Sequence, residues 1–169
     1  IILEDLYLNA QYKYHNNKFS EMSAILGIAE KIIKIFWSFC KSVKLIHTCQ
    51  KIDLFISSLL ISDNDITSAM HYQDRVFILV FREIFLRTDQ DKGIFYENAS
   101  KGIQHCLNKL FLNMSKAFYQ RGNCEEKQGD LLNGTECYKQ ANWFLKNFVK
   151  FQVPELSQFL YDVDIRAKQ

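Results

Sequence analysis
Proline is almost missing from this chain and glycine is sparse, with one Pro and six Gly among 169 residues. A β-sandwich or barrel needs turn-forming residues every ~8–12 positions, so that scarcity argues against both; helices need fewer breaks. Cysteine is also used sparingly. The five Cys (Cys40, Cys49, Cys106, Cys124, Cys137) are odd in number and contain no CxxC pair, which points away from a disulfide framework and from a zinc site. Cys124 and Cys137 could approach each other across a helix pair, but the set reads better as buried free thiols in a reducing, cytoplasmic setting. Three sequons, at Asn98, Asn113 and Asn133, pull the other way. Because Asn113 lies inside a helical apolar pattern, they read as chance.

No charge of one sign dominates. With 21 basic against 19 acidic side chains, nothing global favours nucleic acid or a membrane surface, and any electrostatic binding must come from a local cluster. Long hydrophobic runs are absent too. The longest, Val76 to Phe81, falls far short of the roughly 20 residues a membrane span requires. The chain opens on Ile1 with no signal-peptide layout and reads as the ordered part of a longer chain.

What is present is apolar and aromatic: 48% hydrophobic residues, including 14 Phe and 8 Tyr, enough for a packed core in a single helical domain spanning 1–169. Leu3, Leu6, Tyr7, Ala10 and Tyr14 recur at helical spacing before His15-Asn16-Asn17-Lys18 interrupts them, and Phe19 restarts the pattern as a helix hairpin. Met22, Leu26, Ala29, Ile33, Phe36, Trp37 and Cys40 continue it, with a further break expected between about Gly27 and Ser42. The pattern runs on from Val43 to a polar stop at Ser62-Asp63-Asn64-Asp65. Met70 to Arg87 reads as a helix on length, although Val76 to Phe81 alone could pass for a strand. Another helix is expected from about Ser100 through Arg121, a turn at Gly129-Asp130, a return helix through Cys137 and Phe148, and a last one opened by Pro154. About seven helices result, and the fold class is all-α, an antiparallel array of stacked hairpins.

Catalytic motifs are missing. The sequence has no GxSxG, HExxH, Walker A or GxGxxG, and His15, His47, His71 and His105 lack metal-ligand spacing. His105 and Cys106 are neighbours and would point to different helix faces. No catalytic residue, metal or cofactor is therefore expected, and binding is the expected activity. The informative polar feature is basic: Lys34, Lys41, Lys44 and Lys51 would share about a third of a continuous helix's circumference. Such a stripe could hold a phosphate, or simply be the solvated face of an amphipathic helix.

Two families are resembled. Ala117-Phe118-Tyr119, Gly122, Gly129-Asp130, Tyr138 and Ala141 are similar to one tetratricopeptide repeat, in which small residues let paired helices approach closely. Only one copy is convincing, the first hairpin matches poorly, and an array needs three or more. More of the chain resembles the 14-3-3 family. The opening from Leu6-Tyr7-Leu8-Asn9-Ala10 to Glu21-Met22 looks like its first two helices, and Leu112 to Arg121 is similar to its fifth, L-K-M-K-G-D-Y-Y-R-Y. Gly129-Asp130, Cys137 to Ala141, and Pro154 with Asp162 resemble the segments that follow.

That resemblance implies an adapter binding phosphoserine or phosphothreonine segments of partner proteins in a concave groove. It places Lys41, Thr48, Asn113, Gln120, Arg121 and Asp162 at the phosphopeptide site, with Lys51 a rival for Lys41. The family's cations are depleted: Thr48 and Gln120 stand where it has Arg, and Asn113 where it has Lys. Lys41 and Arg121 would then hold the phosphate, with Gln120 as a neutral donor. Asp162 replaces an Asn and, ionised, can only accept hydrogen bonds. The resemblance also implies a homodimer with Tyr12, Glu21, Tyr72 and Arg75 at its interface, Glu21 meeting Arg75 of the other copy. The family has nine helices and this chain reaches the seventh, so by the resemblance the last two are either lacking or beyond the ordered part. The alternative implied by the other resemblance is a tetratricopeptide-like scaffold that binds unphosphorylated peptides.

Overall fold
A computed structural model describes residues 2–36, 43–80, 101–148 and 154–168. Seven helices and no strand occur among them: α1 (Ile2–His15), α2 (Phe19–Phe36), α3 (Val43–Ser62), α4 (Ile66–Val80), α5 (Lys101–Lys127), α6 (Leu131–Phe148) and α7 (Pro154–Ala167). The fold is all-α, as periodicity predicts, and the run from Val76 to Val80 belongs to a helix rather than a strand. Gly27 lies inside an unbroken α2, so the expected break does not fall between Gly27 and Phe36, and residues 37–42 lie outside the described ones. Lys41 is among them, and residues 81–87 at the expected end of the fourth helix also lie outside the described residues.

Three hairpins, α1–α2, α3–α4 and α5–α6, are built on one local plan. Asn17, Asn64 and Gly129 each take a left-handed backbone, with φ of 58°, 60° and 86°. The next amide, of Lys18, Asp65 or Asp130, donates to the carbonyl five residues back at 2.9 Å in every case. This Schellman-type ending satisfies carbonyls that a helix terminus leaves open, and Asn and Gly are the residues that tolerate the conformation. Asp65 and Asp130 then cap the second helices, Oδ1 accepting from the amides of Ser68 and Asn133 at 3.3 and 3.0 Å.

The side chains repeat as well. Ala10, Met22 and Ala29 in the first hairpin, Ser57, Ala69 and Val76 in the second, and Gly122, Gly134 and Ala141 in the third share one spacing about the turn, and all nine are buried. All but Met22 and Val76 are Ala, Ser or Gly, and these small side chains let the paired helices come close. Gly134 shows the consequence, since a Cβ there would stand 3.2 Å from the Gly122 carbonyl oxygen.

Helix direction alternates through the stack. Glu4 of α1 meets Thr48 and Lys51 of α3 while Tyr14 meets Phe55, and Gln50 and Leu54 of α3 meet Asn113 and Gln120 of α5, so α1, α3 and α5 run parallel. α7 joins the same row, its Phe159 against Tyr119 and its Arg166 against Glu126. The even-numbered helices run the other way and cover the seams. Leu3, Ala10, Met22, Ala29, Ile33, Ile46, Ile52, Leu110 and Met114 form the main core between α1, α2, α3 and α5. Phe77, Phe118 and Phe144 carry it across α4, α5 and α6, with ring centroids 4.4 and 5.5 Å apart. Fully burying one such side chain contributes roughly 1.5–3 kcal/mol.

Candidate functional site
The row α1, α3, α5, α7 gathers polar and aromatic side chains at each of its seams. Between α1 and α3, the Lys51 ammonium lies 2.5 Å from Glu4 Oε1 and 4.9 Å above the Tyr7 ring. Thr48 donates to the other Glu4 oxygen at 3.0 Å. Burial works against the Glu4 carboxylate, but the bonds from Lys51 and Thr48 outweigh it and lower its pKa. One turn before Lys51, His47 is pushed down to about 4, first by burial and then by Lys51, Lys109 and Lys116, with Glu4 opposing. Its ring is neutral at pH 7.

Between α5 and α7 an open cleft of about 460 Å³ is lined by Tyr119, Glu126, Asp162, Ile165 and Arg166. Arg166 organises one wall, donating to Asn123 Oδ1 and to the Tyr138 hydroxyl at 3.1 Å each, and its guanidinium carbon lies 5.3 Å from the Tyr119 ring centre. Tyr138 in turn donates to Asn123 at 2.7 Å. Aromatic faces next to polar donors and acceptors suit a peptide, whose own surface alternates the two.

Behind the row, two buried polar networks fasten the hairpins together. Gln73 of α4 donates through Nε2 to Ser57 Oγ at 3.0 Å and to Cys124 Sγ at 3.3 Å, and accepts from Arg121 Nε at 2.7 Å. Arg75, also of α4, stands 3.4 Å from both Glu30 of α2 and Asp53 of α3, and Tyr72 donates to Glu30 at 2.7 Å. Asp53 is 1% exposed, and burial raises its pKa to about 7 although Arg75 pulls the other way.

The residues singled out from sequence are thus distributed rather than collected. Thr48, Asn113 and Gln120 lie along α3 and its contacts: Thr48 on Glu4, Asn113 donating to Gln50 at 3.4 Å, Gln120 donating to the Leu54 carbonyl at 3.3 Å. Arg121 turns to α4, where it bonds Gln73, the Met70 carbonyl at 2.9 Å and Asp74 at 2.5 Å. Asp162 is across the row in the α7 cleft. Lys41 lies outside the described residues.

Of the residues expected at a dimer interface, Tyr12 is 61% exposed on α1, whereas Glu21 pairs with Lys13 of its own hairpin. Tyr72 and Arg75 are engaged in the network with Glu30. Cys49, Cys124 and Cys137 are free thiols. Among the described residues no metal-binding group of His, Cys, Asp and Glu occurs, and no helix is long and apolar enough to cross a membrane.

Compared with models of known families, with curated proteins and with solved structures, the chain matches none. Tyr7, His47, Lys109, Glu126 and Arg166 were not singled out from the sequence as site residues. A charged or aromatic residue on an amphipathic helix carries no mark of which neighbouring helix it will face, and the parallel row that unites these five is assembled from contacts distant in sequence.

Proposed function
We propose that the chain is a scaffold of stacked helix hairpins, similar to a tetratricopeptide array, which binds extended segments of other proteins along the row formed by α1, α3, α5 and α7. The observation that carries this reading is the threefold recurrence of one hairpin plan, with the same backbone hydrogen bonds at Asn17, Asn64 and Gly129 and buried residues at the same spacing around them. A repeat of this kind buries its apolar faces against its neighbours and leaves a long, shallow surface free for a partner. The phosphate-selective adapter is the less favoured reading, because Arg121 is already bonded to Asp74, Gln73 and Met70 within the chain.

Panning a phage-displayed library of random peptides against the full chain tests this. Selected peptides should bind at micromolar affinity by calorimetry, and Tyr7→Ala and Tyr119→Ala should each weaken them, whereas Lys139→Ala on the exposed face of α6 should not. Failure to select any binder, or binders indifferent to both tyrosines, would overturn the reading. A synthetic phosphoserine peptide that binds only when phosphorylated, and loses binding in Arg121→Ala, would return the adapter to first place.

A further inference from the structure
Arg166 of α7 is held through one nitrogen only. Its Nη1 donates to Asn123 Oδ1 and to the Tyr138 hydroxyl at 3.1 Å each and to Glu126 Oε2 at 3.4 Å, and its guanidinium carbon stands 5.3 and 5.5 Å from the ring centres of Tyr119 and Tyr138. Among the described residues nothing accepts from its Nε or Nη2, and the side chain is 38% exposed on the wall of the cleft between α5 and α7. These two nitrogens form the fork with which a guanidinium grips an oxygen acceptor, and the contacts at Nη1 fix it in place before a ligand arrives. Tyr119 lines the same cleft, and its hydroxyl has no hydrogen-bond partner among the described residues. Burial raises the Tyr119 pKa, so that hydroxyl keeps its proton and remains a donor at neutral pH.

The cleft offers acceptors as well. Glu126 and Asp162 bring two carboxylates to it against the one guanidinium. A carboxylate has about four acceptor positions, so a contact within the chain does not exhaust it. This balance discriminates between ligands. A further carboxylate would enter a cleft that is already net negative, and an ammonium would offer nothing to the Arg166 fork. A carboxamide is neutral and meets both sets: its C=O accepts from Arg166 and Tyr119, and its NH2 donates to Glu126 or Asp162. A volume of about 460 Å³ holds such a side chain together with the backbone that carries it.

We propose that the α5–α7 cleft is a carboxamide pocket of the row, taking the side chain of a Gln or Asn in the bound segment. The inference rests on the scaffold reading and deepens it by naming the residue type recognised at the α7 end.

Fluorescence anisotropy of labelled hexapeptides on the full chain provides the test, with hexaglutamine set against hexaserine, hexaglutamate and hexalysine. Hexaglutamine should bind at least about tenfold more tightly than each of the others. Tyr119→Phe removes the hydroxyl and keeps the ring, and Arg166→Lys keeps the charge and removes the fork. Each should lower that affinity by about fivefold or more, while Lys139→Gln should not alter it. Asp162→Asn should narrow the gap between hexaglutamine and hexaglutamate, because it removes charge that turns the acidic probe away. Hexaglutamine that fails to bind, hexaglutamate or hexalysine that binds as tightly, a gap unchanged in Asp162→Asn, or hexaglutamine affinity unchanged in both Tyr119→Phe and Arg166→Lys overturns the pocket. Library-selected peptides that lack Gln and Asn, need Tyr7 and the Tyr119 ring, and bind Tyr119→Phe as tightly as wild type would overturn the pocket while leaving the scaffold standing.

Discussion

Gly122 faces the ring of Tyr138 so closely that a Cβ at Gly122 would fall within 2.8 Å of three ring carbons. Tyr138 is fully buried, and its hydroxyl is held by Asn123 and Arg166, so the ring has nowhere to go. α5 and α6 approach each other at this contact because one of the two residues has no side chain.

Gly122→Ala should therefore destabilise the chain despite Ala's better helix propensity. Overpacking costs about 1–3 kcal/mol and the propensity gain returns at most about 1. Urea denaturation followed by circular dichroism would read the change. A midpoint equal to or above wild type would show that α5 and α6 can separate freely.

Asn64 and Gly129 occupy equivalent turns with positive φ, and Ala fits neither. Asn64→Ala and Gly129→Ala should each cost about 1 kcal/mol, whereas Asn64→Gly should be close to neutral. Unequal losses in thermal melts, with one turn indifferent to Ala, would argue that the two hairpins are not built alike.

Asp53 makes stability depend on pH in a direction opposite to an ordinary paired carboxylate. No hydrogen bond reaches either carboxylate oxygen, and burial raises its pKa from 3.8 to about 7. The folded state holds this proton more tightly than the unfolded one, so the contribution of Asp53 is fully present below about pH 4 and is lost as pH rises through 7. Asp53→Asn should remove that slope and gain on wild type between pH 5 and pH 8. Urea midpoints of the two proteins that stay parallel over this range would contradict it.

Arg121 spans from α5 to α4 through Gln73, Met70 and Asp74, which makes it a structural strut. Arg121→Ala should lower stability by about 1–3 kcal/mol, leaving the Gln73 Oε1 acceptor open, and should leave the affinity of library-selected peptides within twofold of wild type. Calorimetry showing the reverse pattern, stable protein with lost binding, would place Arg121 in the binding surface.

Much of the architecture was legible along the chain. The spacing of apolar residues marks the helices, the polar breaks at Asn17, Asn64 and Gly129 mark the hairpins, and Pro154 marks the start of α7. The repeat itself was harder to see. Its equivalent turns lie 47 and then 65 residues apart, and its buried positions are filled by Ala, Ser or Gly in seven cases and by Met22 and Val76 in the other two. Local hydrogen bonding, not residue identity, is what the three hairpins share.

By itself the sequence determined the class of structure, all-helical and folded in hairpins, because helix periodicity and turn chemistry depend on residues only a few positions apart. Tertiary structure alone decided which partner each cation meets. Arg121 of α5 reaches Asp74 of α4, Arg75 reaches Glu30 of α2 and Asp53 of α3, and Lys51 reaches Glu4 of α1. A helical repeat specifies the face a side chain occupies; which other face it meets depends on how distant helices pack, and that packing is set by the buried surfaces of all of them together.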